Sequence, residues 1–248
     1  MTAPVFVVDE VPHGPEFVLE GPEGRHAVSV KRLRSGEAVV LTDGLGRWAD
    51  GVVKSAEGKD RLVVGGLQEV REEPAPAPRI TVVQALPKGD RGELAVETMS
   101  ETGVDEIVPW SAARCVTQWK GERGLKALGK WRATAREAGK QSRRVRFAAV
   151  ADAMTTKQVA AFLADAEFAA VLHEDRGYPA EPLATVELPA AGRIVLVVGP
   201  EGGVSPEELT AFTGVGARVC RLGRSVLRTS TAGTAAGALL LGRTGRWS

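Results

Sequence analysis

The apolar positions of this chain change their rhythm once, near residue 75. Before that point short β-branched stretches alternate with polar turns, at Val5 to Val8, Ala38 to Thr42, Arg47 to Lys54 and Arg61 to Gly65. Asp43-Gly44 and Gly58 mark reversals between them, because glycine enters the positive-φ region that tight hairpin turns need. The pattern predicts a small β-barrel over residues 1–73. Glu72-Glu73-Pro74-Ala75-Pro76-Ala77-Pro78 then interrupts every periodicity. Alternating prolines lack the N–H of a helix interior or central strand, so residues 74–79 are expected to form an extended linker.

From residue 80 to 248 strands and helices alternate. Ile80 to Leu86 reads as a strand, and Asp90 caps a helix to about Thr102 with Gly103 as its C′ residue. Glu106 to Pro109 and Cys115 to Gln118 read as extended. Helices follow at about Leu125 to Gln141 and Lys157 to Ala166, with strands at Phe168 to His173, Ile194 to Val198 and Arg218 to Leu222. A last helix, about Ala232 to Leu241, is rich in Ala and Gly and can pack very closely. Such alternation predicts a mostly parallel sheet covered by helices, an α/β domain.

Two of these strands stop abruptly at glycine. Ile194 to Val198 runs into Gly199-Pro200-Glu201-Gly202-Gly203, and Arg218 to Leu222 runs into Gly223 and then Leu227-Arg228-Thr229. Ser205, Pro206 and Glu208 supply an N-cap serine, a proline at N1 and a glutamate at N3, which starts a helix at Pro206 and leaves Gly199 to Val204 as a stiff loop. Open α/β sheets bind ligands outside the carboxyl ends of their strands, where both loops would lie. The first loop lacks the Lys-Ser/Thr of a phosphate loop and the spacing of a dinucleotide fingerprint. Glu201 also places a negative charge where a phosphate would sit, so the loop suits a neutral or cationic group, such as a sulfonium.

Composition changes the picture little and charge changes it more. Hydrophobic content of 44% and charged content of 25% are ordinary for a globular protein. No apolar run approaches a membrane span and the N-terminus has no basic-then-apolar signal pattern, so a cytoplasmic protein is expected. Cys115 and Cys220 stand alone without metal-ligand spacing, which predicts buried small hydrophobes and no metal site. The net charge of +1 hides a division. Residues 111–150 carry eleven Lys/Arg against two Glu, and 218–248 carry six Arg and no acid, whereas 151–217 carry three basic and ten acidic residues. Segregation on this scale points to a polyanionic partner. On the helix ending near Gln141, Arg132, Arg136, Lys140 and Arg143 recur at i, i+4, i+8 and i+11, with Gln141 and Arg144 adjacent. Trp131, Ala135 and Ala138 occupy another face. A second cluster, Arg25, Lys31, Arg32 and Arg34, lies beside His26 in the first domain; there a solvated face and an RNA contact are equally good readings.

The loops together with the rest of the chain resemble the RsmE-type ribosomal RNA small subunit methyltransferases of the SPOUT, or α/β-knot, superfamily. The resemblance runs through His26 and Arg34, Leu86-Pro87-Lys88-Gly89-Asp90-Arg91, Glu101-Thr102-Gly103-Val104, Ile107-Val108-Pro109, Trp131 with Glu137-Ala138 and Gln141-Ser142. It continues through Gly199 to Gly203, Ser205, Glu208, Leu222-Gly223 and Leu227-Arg228-Thr229 before Thr231-Ala232. It implies a PUA-like RNA-binding barrel and a trefoil-knot methyltransferase domain in which the C-terminal helix threads behind the Gly199–Gly203 loop. It also implies a homodimer, S-adenosylmethionine as methyl donor, and N3 of a uridine in small-subunit ribosomal RNA as acceptor. The expected cofactor site is Leu172, Gly199, Glu201, Gly202, Leu222, Gly223 and Leu227. Lys88 and Arg91 join the basic residues above as expected RNA contacts. Arg228 is the candidate catalytic cation, which could stabilise a developing uracil anion; a salt bridge at the helix entry is its bland alternative. Glu201 reads either as proton acceptor or as a brace of its loop. Ser230 and Lys140 depart from the family pattern, each standing where an acidic residue is frequent. Methylation of a ribose 2′-hydroxyl or another ring nitrogen, and non-catalytic RNA binding in ribosome assembly, remain the alternatives.

Overall fold

The computed structural model describes residues 3–174 and 179–247. The chain divides into two compact units, Met1–Ala75 with Gly139–Phe147, and Pro76–Ala138 with Ala148–Ser248.

In the first unit six strands form one sheet: β1 (Val5–Val7), β2 (Glu16–Leu19), β3 (Ala38–Thr42), β4 (Arg47–Glu57), β5 (Arg61–Gly65) and β6 (Arg71–Glu72). Their order is β1-β3-β4-β5-β2, with β6 paired to β4. All pairs are antiparallel except β1 with β3. Gly44 and Gly58 take φ of 74° and 60° at the two expected reversals. Alternate strand residues turn inward, and Phe6, Val39, Leu41, Leu62 and Val64 form the core with Leu19 and Ala27. β2, a short helix α1 (Gly21–Arg25) and the π-helical turn His26–Val30 behind it were not anticipated. Gly21, Pro22 and Gly24 obscure the helical pattern there.

The segment Gly139–Phe147, which the sequence places in the second domain, counts with this unit for clear reasons. Gly46 N donates to Val145 O (3.1 Å) and Phe147 N to Gly44 O (2.9 Å), while the Thr42 hydroxyl donates to Val145 O at 2.9 Å. The Phe147 ring lies so close that a Cβ on Gly44 would stand 3.0 Å from it. Gly44 thus serves both the turn and the docking of this segment.

The second unit holds eight strands: β7 (Arg79–Ala85), β8 (Glu106–Ser111), β9 (Ala149–Val150), β10 (Met154–Thr155), β11 (Phe168–Leu172), β12 (Glu181–Pro182), β13 (Arg193–Val198) and β14 (Arg218–Arg221). They run parallel in the order β10-β8-β7-β13-β11-β14-β12, with β9 on β8. The central β11 and β13 are apolar runs because both faces are covered, and β7 is equally buried but carries Thr81 and Gln84. The helices are α2 (Arg91–Thr102), α3 (Gly121–Gln141), α4 (Thr156–Ala164), α5 (Pro206–Thr213) and α6 (Thr229–Arg243).

Three local expectations differ from what is found. Cys115 to Gln118 is loop, and α3 starts at Gly121. Asp90 precedes α2 but its side chain makes no capping hydrogen bond; Gly103 ends the helix at φ 112° as expected. The glycines of α6 let it press on its neighbours. A Cβ on Gly233 would stand 2.6 Å from Met99 Sδ of α2, and one on Gly237 would stand 2.9 Å from Val104.

The chain leaves β11 for β13 on one side and later returns to β14 on the other. The carboxyl ends of these three strands therefore gather the loops that follow them, as at the switch point of an open α/β sheet.

Candidate functional site

Those loops enclose a cavity of about 800 Å³. Leu172, His173 and Glu174 enter from the end of β11, and Val198 to Glu201 from the end of β13. Arg221 ends β14 and Leu222 to Leu227 follow it, while Arg228, Thr229 and Ala232 open α6. Of the expected site, Leu172, Gly199, Glu201, Leu222, Gly223, Leu227 and Arg228 all line this one cavity.

Gly202 does not line it. Its Cβ position faces Arg114, whose Cβ would be 3.2 Å away, and its carbonyl accepts a hydrogen bond from Arg114 Nη1 at 3.0 Å. Glycine is needed at Gly199 for the loop's own folding, since a Cβ there would stand 2.8 Å from Val204 Cγ2. Gly203 closes the turn at φ 74°, donating its N–H to Pro200 O at 2.9 Å. Gly223, at φ 145°, is the position whose missing Cβ leaves open space. The first loop is thus shaped by internal packing, the second by openness.

A carboxylate outside the cavity holds the first loop in place. The Ser205/Glu208 capping box forms as the sequence predicts, with Ser205 N donating to Glu208 Oε2 (3.0 Å) and Glu208 N to Ser205 Oγ (3.2 Å). The buried Glu208 also accepts from Ala113 N at 2.7 Å and from the Thr156 hydroxyl at 3.0 Å. The loop after β8 therefore supports the glycine loop twice, through Ala113 and through Arg114. Only the cap has a local signal in the sequence, because the other partners are 52 and 95 residues away.

The charged groups have distinct situations. Glu201 Oε1 accepts a hydrogen bond from Lys88 N at 3.2 Å, which ties the loop to the end of β7. Arg228 is the N-cap residue of α6, and among the described residues its guanidinium has no hydrogen bond or ion pair. The salt bridge considered for it does not form there. Arg91, expected on the RNA side, is a cavity wall residue. Burial pushes the Cys220 thiol up to about 11, and raises Cys115 as well, consistent with two unreactive core cysteines.

The basic residues of α3 do not form one continuous row. Arg132 is exposed and pairs with Asp152 at 2.8 Å, and Arg136 and Gln141 are exposed. Lys140 is not: its side chain is 3% exposed, and its Nζ lies 2.9 Å from Glu23 Oε1 and 3.5 Å from His26 Nδ1. Each i to i+4 step gains about 40° on a helix of 3.6 residues per turn, so after two steps the row has turned into the core. Lys140 is a buried structural cation, and the expectation of an RNA contact there is withdrawn. Arg143 is exposed with φ 60° and Arg144 is half-buried; Arg25, Arg32 (φ 56°), Arg34 and Lys88 are exposed.

The lining offers apolar walls together with both signs of charge, since Arg91, Arg221, Arg224 and Arg228 share it with Glu174 and Glu201. It can take an adenosyl group carrying a sulfonium. Leu172, Val198, Leu222 and Leu227 give apolar walls, two glycine-marked loops give backbone polar groups, and Glu174 and Glu201 complement positive charge.

An RNA methyltransferase domain family matches residues 73–241, and an RNA methyltransferase PUA domain family matches residues 19–65. A ribosomal RNA small subunit methyltransferase E from Mycobacterium bovis is 44% identical over 252 residues, covering 100% of this chain and 94% of the relative. The chain belongs to the ribosomal RNA small subunit methyltransferase E family. The Bacillus subtilis member is 29% identical over 230 residues, 90% of this chain and 88% of that one. The crystal structure of the family member from Neisseria gonorrhoeae bound to S-adenosyl methionine superimposes with a TM-score of 0.82 at 26% identity, covering 98% of each chain. A PUA domain followed by a SPOUT-type methyltransferase domain is the architecture of this family member, as the resemblance implied. Among the described residues no helix is long and apolar enough to cross a membrane, and no group of three or more His, Cys, Asp or Glu is placed to hold a metal ion.

Proposed function

We propose that this protein methylates N3 of a uridine in small-subunit ribosomal RNA. The coarser activity, S-adenosylmethionine-dependent methylation of that RNA, follows from membership of the family. The observation that carries the finer reading is the convergence, in one cavity, of apolar walls for the nucleoside with an uncommitted guanidinium at Arg228. S-adenosylmethionine supplies an electrophilic methyl group.

The chain supplies position and charge. Leu172, Gly199, Leu222, Gly223 and Leu227 hold the adenosyl group, with Gly202 acting only through the loop it shapes. Arg228 faces the same space and stabilises the negative charge that uracil develops as N3 loses its proton. Removal of water and alignment of nitrogen, methyl and sulfur contribute the rest. The exposed Arg25, Arg32, Arg34, Lys88, Arg132, Arg136, Gln141 and Arg143, with Arg144, are the proposed RNA contacts; such contacts give affinity and register rather than choice of base.

A homodimer in the cytoplasm belongs to the same proposal. It is supported by the resemblance and by exposed Val226 and Leu227 at the cavity rim, which a second copy would cover. Mapping methyl groups on ribosomal RNA from cells with and without the protein tests the proposal. A single 3-methyluridine lost with the protein is expected; loss of a 2′-O-methyl group, or of none, refutes it.

A further inference from the structure

Methyl transfer to N3 requires a proton acceptor, and among the described residues two carboxylates line the cavity, Glu174 and Glu201. They are not equivalent. Glu201 accepts the Lys88 N–H at 3.2 Å and so anchors its loop to the end of β7. Glu174, two residues beyond the end of β11, makes no hydrogen bond or ion pair among the described residues. Its Oε1 stands 3.2 Å from the point a Gly203 Cβ would occupy. The first loop therefore passes beside it, and glycine at 203 keeps that approach open.

Arginines share the cavity with this carboxylate. Arg91 of α2, Arg221 at the end of β14, and Arg224 and Arg228 of the second loop line the same cavity. Arg114 reaches the other side of Gly203, its Nη1 3.9 Å from the same Cβ position. The Nδ1 of His173, the residue before Glu174, is shut off from solvent. Arg228 lines the same cavity and is placed to stabilise the charge that develops on the base ring.

We infer that Glu174 is the catalytic proton acceptor and that Glu201 is a positioning residue. The inference rests on the uridine N3 reading. The N3–H bond breaks as the Glu174 carboxylate takes the proton, the N3 electron pair forms the new nitrogen–carbon bond, and the carbon–sulfur pair stays on the donor's sulfur. The products are 3-methyluridine, a neutral thioether and a protonated Glu174, which releases its proton to water.

The test uses the full-length protein, S-adenosylmethionine and small subunits from cells lacking this methyl group. Glu174→Gln is expected to lower kcat by about 10²-fold or more, the usual contribution of a positioned base. Calorimetry is expected to show cofactor affinity within a few-fold of wild type, which also reports a folded protein. The remaining rate should climb with pH as hydroxide replaces the lost base. Small subunits carrying 5-fluorouridine, whose N3–H is more acidic, should recover part of that rate. Glu174→Asp keeps a carboxylate and should retain more rate than Glu174→Gln, whereas Glu201→Gln should raise the cofactor KM with a smaller loss in kcat. Unchanged kcat in Glu174→Gln, a defect confined to cofactor binding, or equal rates in the Asp and Gln variants would overturn the assignment. Product analysis of the wild-type reaction separates the two levels, since a methyl group on another atom removes the N3 reading itself.

Discussion

Arg228 and Lys140 are both basic residues singled out in the sequence, and their surroundings give them opposite roles. Arg228 is exposed beside the cavity with no acid holding its guanidinium among the described residues, while Lys140 is buried against Glu23. Arg228→Ala should therefore remove about 10²-fold or more of turnover, the scale of a lost charge-stabilising donor, and leave cofactor affinity and melting temperature near wild type. Single-turnover kinetics and calorimetry check it, and unaltered turnover would take Arg228 out of the chemistry. Lys140→Ala should instead cost stability, on the order of 3 kcal/mol, because the largely buried Glu23 would lose the ammonium beside it. Thermal denaturation measures that loss. For Cys220, burial holds the thiol near 11, so the native protein should resist alkylation near pH ~8 and react once unfolded.

At the scale of elements, the loop after β8 governs the loop after β13. Arg114 donates to Gly202 O and Ala113 to Glu208, which in turn caps α5. Arg114→Ala removes one of these supports. It should weaken cofactor binding by up to roughly tenfold, about 1.4 kcal/mol, with a smaller change in kcat. A titration of S-adenosylmethionine against the variant decides it. This coupling had no local signal, because Glu208 looked complete as a cap three residues from Ser205. The strands and helices were far more legible. Unbroken apolar runs at β11 and β13, the Pro206 start of α5 and the Gly103 stop of α2 each carry their own local physics. The short β9, β10 and β12, two residues each, exist only because longer neighbours offer them an edge.

For the whole molecule, charge is the property that reads most directly into function. Eleven Lys/Arg against two Glu over residues 111–150 predict a strong salt dependence of RNA binding. If about six phosphates are neutralised, affinity should fall about 10³-fold between low and moderate salt; filter binding across a salt series measures it. The units revise the local tally. Residues 1–75 carry nine Lys/Arg and thirteen Asp/Glu, and Lys140, Arg143, Arg144 and Arg146, which count with that unit, offset the excess of acid. An acidic domain by sequence is a balanced one in space.

By itself the sequence determined the order of elements, the two glycine-ended strands, the capping box and the segregation of charge. Each is set by residues within a few positions of one another, where backbone preference and periodicity act directly. Tertiary structure alone decided which carboxylate is tied to Lys88 and which is left open, that Gly202 turns toward Arg114, and that Lys140 points inward. Those outcomes depend on partners tens of residues or more away, whose distances close only when the sheet assembles.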